Sequence, residues 1–246
     1  MPEKALPYVL FYSILFGDSL KRDFECEEEV VRAIPIAIRS YALGKAKAAA
    51  RRRFERVVSG VFRLSRSSIY GFDVGGMIVI ARARHMYRLY VSEIVGYTVM
   101  KKIPRATVGE RELRVLYRGL VYHSILEKMI NHSSYITELP MWMPIYVGDQ
   151  IYELWGTPDI IMFTNGGDAV VVELKSSNRE ETVIAGMLQA MIYSRILDEN
   201  LVGSRCSCIA TPSKTICTRR KLGLDIIEHM ASSFLESLRG CSVVDG

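Results

Sequence analysis

Near its start this 246-residue chain has no apolar run long enough to cross a bilayer. The longest such stretch there, Ala5 to Phe16, falls short of a span and lacks a small-residue cleavage site. It reads as a buried helix or strand, and the expected setting is cytoplasmic, with no membrane partner. Internal repeats and low-complexity tracts are also missing, which argues against repeat architectures and disorder. With 49% hydrophobic residues the chain can build a real core, as one large domain or as a catalytic domain with an added lobe. Acidic residues are scarce in one half only. Residues 1–110 carry 19 basic side chains against 11 acidic, a net +8, whereas residues 111–246 carry 13 against 16, a net −3. The first half suits a polyanion and the second a cation.

The most informative stretch runs from Gly156 to Ser177, GTPDIIMFTNGGDAVVVELKSS. Two β-branched apolar runs, Ile160 to Phe163 and Ala169 to Val172, flank Thr-Asn-Gly-Gly-Asp, whose glycines supply the positive φ of a tight turn. A β-hairpin is predicted. Its period of two sets Glu173 and Lys175 on one face of the second strand and Val172 and Leu174 on the other. Asp159, at the start of the first strand, then falls near Glu173. Two carboxylates and a lysine inside an apolar sheet are costly unless they are paired or bind a metal. Mg²⁺ or Mn²⁺ would accept carboxylate and carbonyl oxygens, and a lysine beside it could orient water or offset charge on a phosphorane. The plainer reading is a surface hairpin in which Glu173 and Lys175 form an ion pair.

Neighbouring segments add polar groups at helical spacing. RGLVYHSILEKMI carries His123, and ETVIAGMLQAMIYSRIL sets Gln189 and Tyr193 four apart on one helical face. A His123 helix, a strand opening on Pro158-Asp159, a strand ending in Glu173-Leu174-Lys175, and a helix with Gln189 and Tyr193 follow in that order. Over residues 92–240 this resembles the PD-(D/E)XK nuclease superfamily, in its RecB-like branch. That branch includes the nuclease domains of bacterial RecB and AddB and the CRISPR-associated RecB-like exonucleases. The resemblance implies that His123, Asp159, Glu173 and the backbone carbonyl of Leu174 ligate Mg²⁺ or Mn²⁺. It implies that Lys175 is the catalytic lysine, and that Gln189 and Tyr193 line the site and hold substrate phosphate or the lysine. Taken singly, His123 also reads as a hydrogen-bonded core or surface histidine, and Gln189 and Tyr193 as core residues with wet polar ends.

The CRISPR-associated relatives commonly carry an iron–sulfur cluster on one cysteine before the His helix and three near the C-terminus. Here the matching early region, VSEIVGYTVMKKI, has no cysteine, and Cys26 lies far upstream. Cys206 and Cys208 alternate along a predicted strand, Cys217 sits in the next, and only Cys241 follows the last helix. That spacing does not match a cluster-binding run, so no cluster is expected. Reduced, partly buried structural thiols are expected instead, with the meeting of Cys26, Cys206, Cys208 and Cys217 in space left open.

Upstream, Glu27 to Val31 opens a helix that Pro35 ends or interrupts, and Ile36 to Val58 reads as helical. Its Arg39, Lys45, Lys47, Arg51, Arg52, Arg53 and Arg56 face only Glu55, so a phosphate backbone is the natural counter-charge. The alternative is packing of Arg51, Arg52 and Arg53 against Glu27, Glu28 and Glu29. Residues 60–76 read as loops. MIVIARARHMYRLYV reads as one long strand or a hairpin with Arg82, Arg84 and Arg88 on one face, and Ser92 as the cap of the following helix. The expected fold is α/β, a central mixed β-sheet flanked by helices with a restriction-endonuclease-like core. Residues 1–91 form a basic, mostly helical nucleic-acid-binding region and residues 92–246 the RecB-like nuclease domain. The expected activity is metal-dependent hydrolysis of single- or double-stranded DNA, as an exonuclease in repair, recombination or CRISPR-type defence, with nuclease/helicase or CRISPR adaptation partners. An inactive DNA-binding or scaffold subunit with the same fold is the runner-up, and an RNA-directed nuclease a third reading.

Overall fold

The computed structural model describes residues 22–54, 61–63, 69–74, 77–82, 87–101, 107–108, 110–130, 135–164 and 167–241. Helix α1 (Phe24–Ala33) starts where Asp23 accepts a hydrogen bond from the Cys26 amide at 2.9 Å, satisfying one of the free donors of the first turn. Pro35 separates it from α2 (Ile36–Phe54). Strands β1 (Val61–Arg63), β2 (Ile69–Val74) and β3 (Met77–Arg82) follow, joined in an antiparallel sheet by β5 (Thr107–Val108). Residues 60–76 therefore contain strands where loops were expected. Tyr70, Phe72 and Val74 alternate with Gly71 and Asp73, a period of two masked by the Ser and Gly content.

The stretch expected as one strand or hairpin contributes to two sheets. Strand β3 ends at Arg82, and β4 (Arg88–Tyr90) pairs in parallel with a later strand, Arg88 lying opposite Glu153 and Tyr90 opposite Trp155. Strand β4 passes straight into α3 (Val91–Met100), whose N-cap is the extended Tyr90, so Ser92 lies inside the first turn and is not the cap. Helix α4 (Glu110–Met129) leads to β6 (Tyr135–Thr137), and β7 (Met141–Val147) and β8 (Gln150–Gly156) form a hairpin turning at Gly148, whose φ of 59° suits glycine. The predicted hairpin is β9 (Ile160–Phe163) and β10 (Ala169–Leu174), antiparallel with Val172 opposite Ile160. Helix α5 (Glu180–Glu199), β11 (Ser204–Ala210), β12 (Thr215–Thr218) and α6 (Leu224–Cys241) complete the chain.

The central sheet runs β12-β11-β10-β9-β6, mixed because β10 and β11 are parallel through the α5 crossover. Its middle strand β10 is buried at every position, which is why it reads as an unbroken apolar run up to Glu173. Val170, Val172 and Leu174 share a core with residues of α1, α2 and α4, while Ala169 and Val171 share the other with α3, α5 and α6. The inner face of a three-stranded sheet, β4-β8-β7, closes that second core through Leu89, Met143, Ile145 and Leu154. Helices, sheet, helices and a second sheet thus stack in layers. The fold is α/β with mixed sheets flanked by helices, and the described parts of α1 and α2 share their core with strands from residues 92–246. Among the described residues no helix is long and apolar enough to cross a membrane.

Four of the five cysteines are not thiols as expected. Cys26 is disulfide-bonded to Cys206, and Cys208 to Cys217. Cys206 and Cys208 are two apart on β11, so both side chains face α1, and Cys217 lies directly opposite Cys208 on β12.

Candidate active site

The register of β9 against β10 brings the proposed acids together. Asp159 precedes β9 by one residue and Glu173 follows Val172, and the Asp159 amide approaches Glu173 Oε1 at 3.4 Å. Asp159 Oδ2 accepts from the Leu174 amide at 2.7 Å, and its Oδ1 lies 3.1 Å from His123 Nδ1. Lys175 Nζ donates to Glu173 Oε2 at 2.7 Å and to Gln189 Oε1 at 2.6 Å. His123, Asp159, Glu173, Leu174, Lys175 and Gln189 therefore meet at one end of the central sheet, drawn from α4, two strands and α5.

Two glycines make room for the packing. A Cβ on Gly156 would overlap the ring of Tyr193, so the buried tyrosine lies flush against the end of β8. A Cβ on Gly186 would sit 2.6 Å from Ile209 Cδ1 and 3.0 Å from Lys175 Cε, so a side chain there would push both of these side chains aside.

Burial sets the electrostatics. Glu173 is 3% exposed, and burial together with the Asp159 charge pushes its carboxyl up to about 7 against the pull of Lys175. Burial also works against ionised Asp159, but His123, Lys175 and the Leu174 amide overcome it and hold that carboxyl at about 2. For His123 and Lys175 burial opposes the charged form, and the neighbouring carboxylates outweigh it, raising both. The two acids differ because one has the histidine and an amide while the other competes for the lysine. Among the described residues no three or more His, Cys, Asp and Glu side chains are gathered closely enough to hold a metal ion as they stand. The acids are instead turned to Lys175, His123 and the Leu174 amide.

The proposed nucleic-acid residues are more scattered. Lys45 and Lys47 are exposed on α2, with Lys45 Nζ 5.3 Å from the ring centroid of Tyr41. Arg51, Arg52 and Arg53 lie on α2 and Arg82 on β3, but their side chains, like Arg56 and Arg84 altogether, lie outside the described residues. Arg88, on β4, engages Glu153 at 3.2 Å. Glu27 and Glu29 pair with Arg22 and Arg205, a different network from the one weighed for Arg51 to Arg53.

Arg39 does not belong to the basic face. It is wholly buried, three and seven residues from the buried Ala42 and Ala46, and its Nη1 donates to the carbonyls of Thr211 at 2.8 Å and Lys214 at 2.9 Å. Its Nε and Nη2 and the hydroxyl of buried Tyr122 have no hydrogen-bond partner among the described residues. Tyr122 stands edge-on to His123, centroids 5.9 Å apart, and burial holds its phenol well above the usual range, with Arg39 opposing and Asp159 adding to the shift. The signal that could have found Arg39 was the small-residue stripe of α2, Ala42 and Ala46, on which it falls.

No family model matches the chain, and no curated protein matches it. The solved structure titled "Crystal structure of SSO0001" is similar to it with a TM-score of 0.47 and 18% identity, over 63% of this chain and 79% of that one, a likeness too slight to carry an argument.

Proposed function

We propose that this chain is a metal-dependent deoxyribonuclease of the PD-(D/E)XK type, RecB-like, with a restriction-endonuclease-like core. One observation carries the reading: Asp159 and Glu173 stand side by side in register at the end of a buried sheet, with Lys175 Nζ 2.7 Å from Glu173. The donor set suits a hard cation, since two carboxylates compete so strongly for positive charge that one is pushed up to about 7. Asp159, Glu173, the Leu174 carbonyl and His123 would hold Mg²⁺ or Mn²⁺. When bound, such an ion supplies Lewis acidity toward a phosphoryl oxygen and a more acidic water.

The chain's own residues do the rest. Gln189 and Glu173 fix the Lys175 ammonium, which neutralises charge developing on the phosphorane. His123 and the Leu174 amide hold Asp159 ionised and oriented. Tyr193 braces the end of β8 immediately before the Pro158-Asp159 step. Exposed Lys45 and Lys47 on α2 offer contacts for a phosphate backbone. The competing reading is a catalytically inactive DNA-binding or scaffold subunit, favoured by the mutual pairing of the site's charges without a gathered metal cluster.

End-labelled linear and circular DNA incubated with Mg²⁺ or Mn²⁺ decides between them. Cleavage is expected with either ion, none in EDTA, and none with Glu173→Ala, Asp159→Ala or Lys175→Ala at unchanged circular dichroism. Equal cleavage by wild type and Glu173→Ala would overturn the catalytic role of this site, and DNA binding without cleavage by wild type would leave the scaffold reading.

A further inference from the structure

The three-stranded sheet buries one face and turns the other outward, half-buried at Arg88, Tyr90, Glu153 and Trp155 and exposed at Trp142, Pro144, Tyr146 and Ile151. Across that outer face the register sets Tyr90, Trp155 and Trp142 in one row, Arg88, Glu153 and Pro144 in the next, and Ile151 opposite Tyr146. Trp142 is 45% exposed and Tyr146 58%. The chain has two tryptophans, and both are here. Their rings lie within 19° of parallel with centroids 6.3 Å apart, and the Arg88 guanidinium sits 4.2 Å over the Trp155 ring. Trp155 Nε1 donates to Glu153 Oε2 at 2.7 Å, and Arg88 Nε binds the same oxygen at 3.2 Å. The indole edge is thereby tied down by polar contacts. Its orientation is fixed before anything binds, so little rotamer freedom is lost on stacking.

The chain itself joins this face to the candidate active site. From Trp155 the chain leaves β8 at Gly156 and reaches Asp159 four residues on, a separation that cannot exceed about 14 Å. Large aromatic rings with an arginine stacked among them are the chemistry by which proteins hold unpaired bases, because every base has a π-face. A duplex hides those faces. We infer that the outer face of β4-β8-β7 is a base-stacking platform for an unpaired nucleic-acid strand, which it leads toward Asp159, Glu173 and Lys175. The direction of travel rests on the proposed nuclease function; the stacking itself does not.

Because both tryptophans lie on the platform, intrinsic tryptophan fluorescence reports on it alone. Titration with short oligothymidylate in EDTA, where the proposed cleavage is silent, is expected to quench that fluorescence saturably, while duplex of equal length binds more weakly and quenches little. Trp142→Ala is expected to weaken strand binding about 5- to 150-fold, the range for losing one stacked base, and Trp142→Phe to restore most of it. Equal strand affinity of wild type and Trp142→Ala, both folded by circular dichroism, would overturn the inference. So would a sedimentation result in which Trp142→Ala dissociates a dimer without changing strand affinity, since the face would then serve a second copy of the chain. Glu173→Ala is expected to leave the quenching intact, so failure of the nuclease reading and failure of the platform are told apart.

Discussion

On one face of the central sheet Lys175 lies beside Glu173 and Gln189; on the other, Arg39 of α2 has, among the described residues, only the carbonyls of Thr211 and Lys214 as side-chain partners. The two are anchored next to each other, since the Lys175 amide donates to the Ala210 carbonyl one residue before Thr211. Burial lowers the pKa of Arg39, whereas for Lys175 the two carboxylates outweigh burial and raise it. Lys175 keeps 20% of its side chain open, and Arg39 none. A cation set among acids and open to water can act on a substrate. A cation clamped by backbone carbonyls ties α2 to the β11–β12 turn and does nothing else that its surroundings reveal.

If that contrast is right, the two cations fail differently when removed. Arg39→Ala is expected to cost about 3–5 kcal/mol in urea unfolding, from a large cavity and from the loss of the Arg39 donor to the Thr211 carbonyl, the Lys214 carbonyl keeping its bond from the Thr211 amide, with Arg39→Met costing less because it fills the space. Lys175→Met is expected to cost less than Arg39→Ala at pH 6, where Glu173 can take up a proton, yet to abolish cleavage. A Lys175→Met variant less stable at pH 6 than Arg39→Ala would reverse the comparison.

The Arg39 face is also the stapled one. Disulfide Cys26–Cys206 closes a separation of 180 residues, so Cys26→Ser is expected to cost about 2–4 kcal/mol. Titration of thiols in denaturant without reductant is expected to find one per chain, Cys241. Five would show that the face is held by packing alone.

The pH dependence tests the other face. Glu173 binds its proton more tightly in the folded state, so the fold loses stability as pH rises from 4.5 through about 7. Asp159 acts oppositely, and its contribution is present above 3.8 and lost as pH falls toward about 2. Glu173→Gln, measured without divalent ions, is expected to flatten the loss between pH 4.5 and 7 and to be about 1–3 kcal/mol more stable relative to wild type at pH 8 than at pH 4.5. Parallel stability curves for the two proteins would remove the electrostatic basis of the contrast. Smallest of all, Gly186→Ala is expected to cost roughly 1 kcal/mol while displacing Lys175 and lowering cleavage more than stability, as paired melting and activity assays would show.

The elements around the acids were legible because their periods are clean. Ile160 to Phe163 and Ala169 to Val172 could hardly be anything but paired strands, and the interval between Gln189 and Tyr193 fixed them on one face of α5. Lateral arrangement was not legible. Arg82 and Arg88 are close in sequence but join different sheets, and nothing in their alternation says so. Arg39 was hidden by its company, because a helix with many cations reads as one solvated face until small residues at i+3 and i+7 are noticed. Tryptophans are ordinarily taken for core, so the outward turn of Trp142 and Trp155 emerges only from the strand register.

The bridge of Arg22 to Thr218, the bond from the Asp23 amide to the Cys217 carbonyl and the disulfide from Cys26 to Cys206 all join the beginning of the chain to strands made near its end. Synthesis runs from the N-terminus, so helix α1 emerges from the ribosome long before its docking surface exists. Until β11 and β12 have been translated, the apolar side of α1, with Cys26 and Val30, lacks the part of its core that Cys206, Cys208 and Cys217 supply. Completion of this fold is therefore a late event in the life of the nascent chain, and a truncated product lacking the last strands would leave α1 without its docking strands.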